Sequence, residues 1–89
     1  MAWTIKYADS AKGQLRKLDK QIARRIVEYL DEIATLKDPY SKGKVLQGPL
    51  GGLWRFRVGD WRVICDIQHE KLVVLVLQIG HRRNVYGGH

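Results

Sequence analysis

The chain carries a single cysteine, Cys65. One thiol closes no internal disulfide and completes no paired-cysteine metal site, so the cysteine usage reads as that of a reducing cytoplasm. Long apolar runs are missing as well: the longest, Leu72–Leu77, has six residues, against the roughly 20 that span a bilayer. The opening MAWTIKYADS holds no apolar stretch of signal-peptide length. The expectation is a soluble, intracellular protein with no membrane role. Proline is scarce, at 2 residues, while 45% of the chain is hydrophobic, a balance that excludes intrinsic disorder. With 89 residues there is room for one core, so residues 1–89 are expected to form a single domain.

Negative charge is also in short supply. Lysine and arginine number 16 against 9 aspartates and glutamates, a formal net charge of +7. The excess is uneven: residues 39–89 hold 8 basic and 3 acidic residues, whereas residues 1–38 hold 8 and 6. A field of this sign suits a polyanionic partner, nucleic acid first among them.

What is present divides into periodic segments. Trp3–Tyr7 alternates, with Trp3, Ile5 and Tyr7 on one side, as in a half-buried strand. Asp9 or Ser10 is placed to cap a helix whose apolar positions are Ala11, Leu15 and Leu18, with Gly13 as a weak point. Asp19 is placed to cap a second helix of about 17 residues, striped by Ile22, Ile26, Leu30 and Ile33 and ending before Pro39. Residues Tyr40–Gly52 read as a basic loop carrying Lys42 and Lys44, with a brief strand around Lys44–Leu46. Three strand-like runs follow, Leu53–Val58, Trp61–Ile67 and Leu72–Ile79, and then the polar GHRRNVYGGH. The order predicts an α+β two-layer sandwich: an N-terminal strand, a two-helix hairpin, then an antiparallel meander of three to four strands. The last run, apolar on both faces, is expected to be central.

Gly59-Asp60 between two strand runs is the signature of a type II′ turn, and that turn fixes a register. Val58 faces Trp61, Arg57 faces Arg62, Phe56 faces Val63, Arg55 faces Ile64 and Trp54 faces Cys65. One surface is then a core face of Trp54, Phe56, Val58, Trp61, Val63 and Cys65, which makes Cys65 a small buried hydrophobe. The other carries Arg55, Arg57 and Arg62. Opposed like charges cost stability, and Asp66 on the following strand run is an acid placed to neutralise part of the cluster. The planar fork of arginine suits phosphate oxygens, so the expected ligand is a phosphodiester. The end of the last strand supplies His81, Arg82, Arg83 and Tyr86. Whether they reach the same face depends on the turn near His69-Glu70.

No Ser-His-Asp or Cys-His set, carboxylate pair or nucleotide-binding glycine pattern occurs. His69, His81 and His89 lie at spacings that suit no metal site. Neither metal nor cofactor is expected. RNA cleavage needs neither, because the ribose 2′-OH is itself the nucleophile. The protein has only to take its proton, stabilise the phosphorane and protonate the leaving 5′-oxygen. Arginines supply the middle function, with His81 or Tyr86 to carry the protons.

The opening strand, the helical hairpin with LRKLD, the KVLQG loop, LWRFRVGDWRVICDI and the ending GHRRNVY together resemble a toxin of the RelE/ParE superfamily, over essentially the whole chain. The resemblance implies a RelE-like fold and a bacterial toxin–antitoxin system. RelE-type members are ribosome-dependent endonucleases that cut A-site mRNA without a metal, and ParE-type members poison DNA gyrase. Retention of Tyr86 with His81 and Arg82 favours the first, with the gyrase inhibitor as the alternative. By this resemblance Arg55, Arg57, Arg62, Arg82 and Tyr86 hold the scissile phosphate, neutralise transition-state charge and orient or activate the 2′-OH. With His81 added for its proton chemistry, the expected catalytic set is Arg57, Arg62, His81, Arg82 and Tyr86, and Lys42, Lys44, Arg55 and Arg83 are expected to bind RNA. Arg55 and Arg57 stand where RelE-type proteins often have lysines. An arginine stays protonated, so the base role passes to His81 or Tyr86. The implied partners are the ribosome with its mRNA and an acidic, RelB-like antitoxin in a hetero-oligomer.

Overall fold

The computed structural model describes residues 3–81. Its elements are β1 (Thr4–Tyr7), α1 (Asp9–Lys17), α2 (Lys20–Ala34), β2 (Lys44–Val45), β3 (Trp54–Val58), β4 (Trp61–Gln68) and β5 (Val73–His81), with 3-10 turns at Pro39–Lys42, Gly48–Leu50 and His69–Lys71. The five strands form one sheet in the order β1-β5-β4-β3-β2. β2 to β5 are an antiparallel meander, and β1 joins the far side of β5 in parallel. β5 is therefore flanked on both sides by strands, as its apolar run predicts. The expected α+β two-layer architecture is what forms. No described helix is long and apolar enough to cross a membrane.

Both helices lie on one face of the sheet. Their stripe of Ala11, Ile26, Leu30 and Ile33 packs with Phe56, Val58, Val63, Cys65, Val74, Val76 and Ile79 into one buried cluster. Trp54 and Trp61, expected in the core, sit half-buried at its margin. The Asp19 cap forms as expected, its carboxylate accepting from the Gln21 amide at 3.0 Å. α2 stops at Ala34, short of the stretch before Pro39. Thr35 Oγ1 donates to the Glu32 carbonyl at 2.7 Å, and the Trp3 amide donates to the Ala34 carbonyl at 2.8 Å, so carbonyls of the last turn are satisfied outside the helix.

The start of α1 differs from expectation. Its cap is Ala8, with no side-chain cap bond, because the Ala8 amide is held by the Val76 carbonyl at 2.8 Å and β1 runs straight into the helix. Asp9 instead sits in the first turn, where the helix dipole favours a carboxylate. Ser10 is freed for other work: its hydroxyl donates to the Leu77 carbonyl at 2.8 Å. Gln14 Oε1 accepts from the Ile79 amide at 2.6 Å. Beyond Val76, where β1 ends, polar side chains of α1 thus bond the edge that β5 would otherwise leave open.

Tyr7 presents a fault in this packing. Its hydroxyl is buried with no hydrogen-bond partner among the described residues, and burial, helped by the nearby Asp31 carboxylate and the Cys65 sulfur, pushes its pKa from 10.0 up to about 12. A buried orphan donor costs about 1–3 kcal/mol. Tyr7→Phe is therefore expected to stabilise the protein by about 1 kcal/mol at neutral pH. With the folded pKa above the unfolded one, the native state holds its proton longer. The associated stability is intact below pH 10 and is lost as pH rises toward 12. Denaturant melts of both proteins across that window should show a shallower alkaline decline for Tyr7→Phe, and parallel curves would refute the assignment.

Candidate phosphodiester site

The β3–β4 hairpin folds as its glycine dictates. Gly59 has φ +60, and Leu72 is the only described non-glycine residue with positive φ, so the first central residue alone is left-handed and the turn is type II′. The register follows throughout: Trp54 with Cys65, Arg55 with Ile64, Phe56 with Val63, Arg57 with Arg62, Val58 with Trp61. Phe56, Val63 and Cys65 are 0% exposed. Burial pushes the Cys65 thiol pKa upward, with a smaller push from Asp66, which leaves it an inert core residue.

Arg55, Arg57 and Arg62 accordingly share the face turned away from the helices. Pairing across the sheet adds what the turn alone could not give. One row reads Lys44, Arg55, Ile64, Gln78, and the next reads Arg57, Arg62, Gly80. Side chains directly opposed in such rows stand about 4.5–5.5 Å apart at Cβ, so four cations occupy two adjacent rows. Gly80 leaves the β5 flank of Arg62 without a side chain. Ile64, only 2% exposed, gives the patch an apolar floor, and a low-dielectric floor strengthens attraction to an anion above it. Arg57 is exposed, while Arg55 and Arg62 are partly buried. The Arg55 Nε and Arg62 Nη1 atoms are buried. Arg55 Nε has no acceptor among the described residues, a donor that a phosphate oxygen would satisfy.

Asp66 does little to offset this charge. It stands four residues along β4 from Arg62, about 13 Å at strand rise, and its carboxylate accepts from Gln68 Nε2 at 3.1 Å. Lys42 ends the 3-10 turn ahead of β2, exposed, and outside the two rows. Lys44 is brought opposite Arg55 by a two-residue strand whose pairing no local pattern announces.

His81 is not brought together with the arginines, contrary to its place in the expected catalytic set. Its cross-strand partner is Trp61, so it lies on the helix side of the sheet, where its ring meets Trp61 edge-to-face at 5.5 Å between centroids and 87°. The cause is one extra residue. From Gln68↔Val73 to Cys65↔Val76 the register is regular, but Ile64 pairs with Gln78, leaving Leu77 as a bulge. A one-residue shift turns every later side chain to the other face. Ile79 thereby enters the core and His81 leaves the arginine face. Arg82, Arg83 and Tyr86 lie outside the described residues.

Residues 5–86 match the family model described as ParE toxin of type II toxin–antitoxin system, parDE. The chain belongs to this toxin family. Within it, the toxin is 29% identical over 86 residues to Toxin RelG of Mycobacterium tuberculosis, covering 97% of this chain and 98% of that protein. Its fold superimposes on the RelBE2 toxin–antitoxin complex of M. tuberculosis with TM-score 0.84 at 28% identity, over 92% of this chain and 93% of the other. The RelE–RelB complex of Pyrococcus horikoshii gives 0.72 at 27%, over 96% and 100%. The RelE/ParE resemblance read from LWRFRVGDWRVICDI and GHRRNVY is borne out.

Proposed function

We propose that this toxin is a metal-independent endoribonuclease that cuts mRNA in the ribosomal A site, acts in the cytoplasm as a single RelE-like domain, and is held inactive by an acidic, RelB-like antitoxin. The observation that carries the reading is the Arg57–Arg62 pair, opposed across the ladder beside Arg55 and Lys44. Like charges so placed destabilise a sheet by up to about 1 kcal/mol, a cost that the negative charge of a bound phosphodiester would offset.

In the reaction the ribose 2′-oxygen bonds to phosphorus as its proton passes to a base. The P–O5′ bond then breaks and the 5′-oxygen takes up a proton, leaving a 2′,3′-cyclic phosphate. Arg57 and Arg62 are assigned to the equatorial oxygens, where charge accumulates in the phosphorane, and Arg82 is assigned the same work from the tail. Arg55, Lys44, Lys42 and Arg83 hold the flanking backbone. With His81 turned toward Trp61, the base or acid role assigned to the tail falls on Tyr86. Neutralising several phosphates makes binding fall steeply with salt. The antitoxin partner rests on the relatives: solved neighbours are toxin–antitoxin complexes with RelB proteins.

A second reading is favoured by one finding, the match to a family model described by ParE: a toxin that traps DNA gyrase. Mapping 5′ ends of cellular mRNA after induction separates the two. Cuts in phase with codons, absent from an Arg62→Ala strain, are the expected result. Intact mRNA with DNA breaks and an SOS response would establish the gyrase reading instead.

A further inference from the structure

The arginine rows stop one residue short of the end of the sheet, and around that end lies a feature the proposed cleavage does not use. Between the C-terminus of α1 and the final row of β4 and β5 runs an open groove of about 270 Å³, lined among others by Gln14, Lys17, Trp61, Gln78 and His81. Trp61 and His81 provide half-exposed aromatic surface held in a fixed edge-to-face pair. Gln14 spends its carbonyl oxygen on the Ile79 amide, which leaves its NH2 group as a donor. Lys17 on its rim is exposed, and Arg25 Nη2 lies 3.5 Å from where a side chain on Gly59 of the adjoining turn would stand.

We infer that this groove is a second nucleic-acid subsite, which takes one unpaired base of the RNA strand whose phosphodiester lies on Arg57 and Arg62. Aromatic platforms rimmed by cations are how proteins hold single strands, since every base has a π-face to stack. The Gln14 NH2 group beside the platform suits the polar edge of a base. Position supports the same ligand. Trp61 follows Asp60 of the turn and precedes Arg62 on β4, so groove and arginine rows are neighbours around one end of the sheet, on opposite faces. A strand that leaves the arginines over that end meets Trp61 first. The inference rests on the phosphodiester reading for its ligand and adds to it a contact that holds the chain beside the cut.

The test uses the full-length wild-type toxin and a short single-stranded RNA containing 5-iodouridine, photo-cross-linked and mapped by mass spectrometry, with affinities measured by anisotropy. The expected result is a principal adduct on Trp61 or His81, and an affinity about five- to tenfold weaker for Lys17→Glu. Because Trp61 also borders the core, Trp61→Phe is used in place of a truncation. It keeps packing while shrinking the stacking surface, and should weaken binding severalfold. Binding that depends on Arg57 and Arg62, with adducts only elsewhere, overturns the base subsite and leaves the phosphodiester reading standing. Trp61 adducts that persist while Arg57→Ala/Arg62→Ala binds RNA as well as wild type sink the arginine reading and keep the subsite. RNA that does not bind at all, or a groove shielded by an antitoxin and untouched by RNA, overturns the inference.

Discussion

Arg62→Ala should reduce the rate of RNA cleavage by about 10²–10³-fold, the loss expected when one preorganised group facing transition-state charge is removed. Its melting temperature should stay within a few degrees of wild type. The two results together are the signature sought. A structural arginine would lose stability on truncation, whereas here some packing of a partly buried stem is lost but repulsion with Arg57 across the ladder is relieved. Arg57→Ala should resemble it, with the smaller structural effect of an exposed residue. The double variant should fall well short of the product of the two losses, because both side chains serve the same phosphate. Cleavage by purified ribosome complexes, measured alongside thermal melts, decides the matter. Full activity in the double variant would remove the site from this face.

Sequence resolved the parts of this site that local chemistry controls. A glycine before aspartate between two strands leaves one economical turn, and that turn alone sets which five pairs face each other. Asp19 is legible for the same reason, since its carboxylate bonds an amide two residues on. What stayed hidden depends on distant backbone. Ala8 caps α1 because Val76 holds its amide, a contact between segments far apart in the chain. The turn before β5 closes with Leu72 left-handed, at φ 55 and ψ 44, a conformation that glycine would have advertised and leucine does not. The bulge at Leu77 is the costliest omission. Continuing the regular register would put Ile79 opposite Arg62 and leave His81 on the arginine face. Burying Ile79, at 3% exposure, takes one more residue on β5, and α1 supplies Ser10 to accommodate it. Apolar burial overrode the simple alternation, and the histidine went with it.

Phe56→Ala is expected to remove about 3–5 kcal/mol of stability, as truncating a buried aromatic does. The side chain is 0% exposed and lies at the centre of the hairpin's core face, opposite Val63. Gly43 shows how tightly it is held: a Cβ there would sit 3.0 Å from Phe56 Cε1 and 3.1 Å from the Arg55 carbonyl, so neither backbone nor ring has room to collapse toward the other. For a domain near this size each kcal/mol shifts the melting temperature by about 4–8 °C, and total stabilities run only about 5–15 kcal/mol. The variant should thus melt at least about 12 °C below wild type. Arg55 and Arg57 flank Phe56 on the same strand and point to the other face, so the loss also reports on how the core supports the patch. Molecules still folded in the cold should cleave at close to the normal rate, in contrast to Arg62→Ala. An unchanged melting temperature would mean that the arginine face, not the phenylalanine face, is the one packed against the helices.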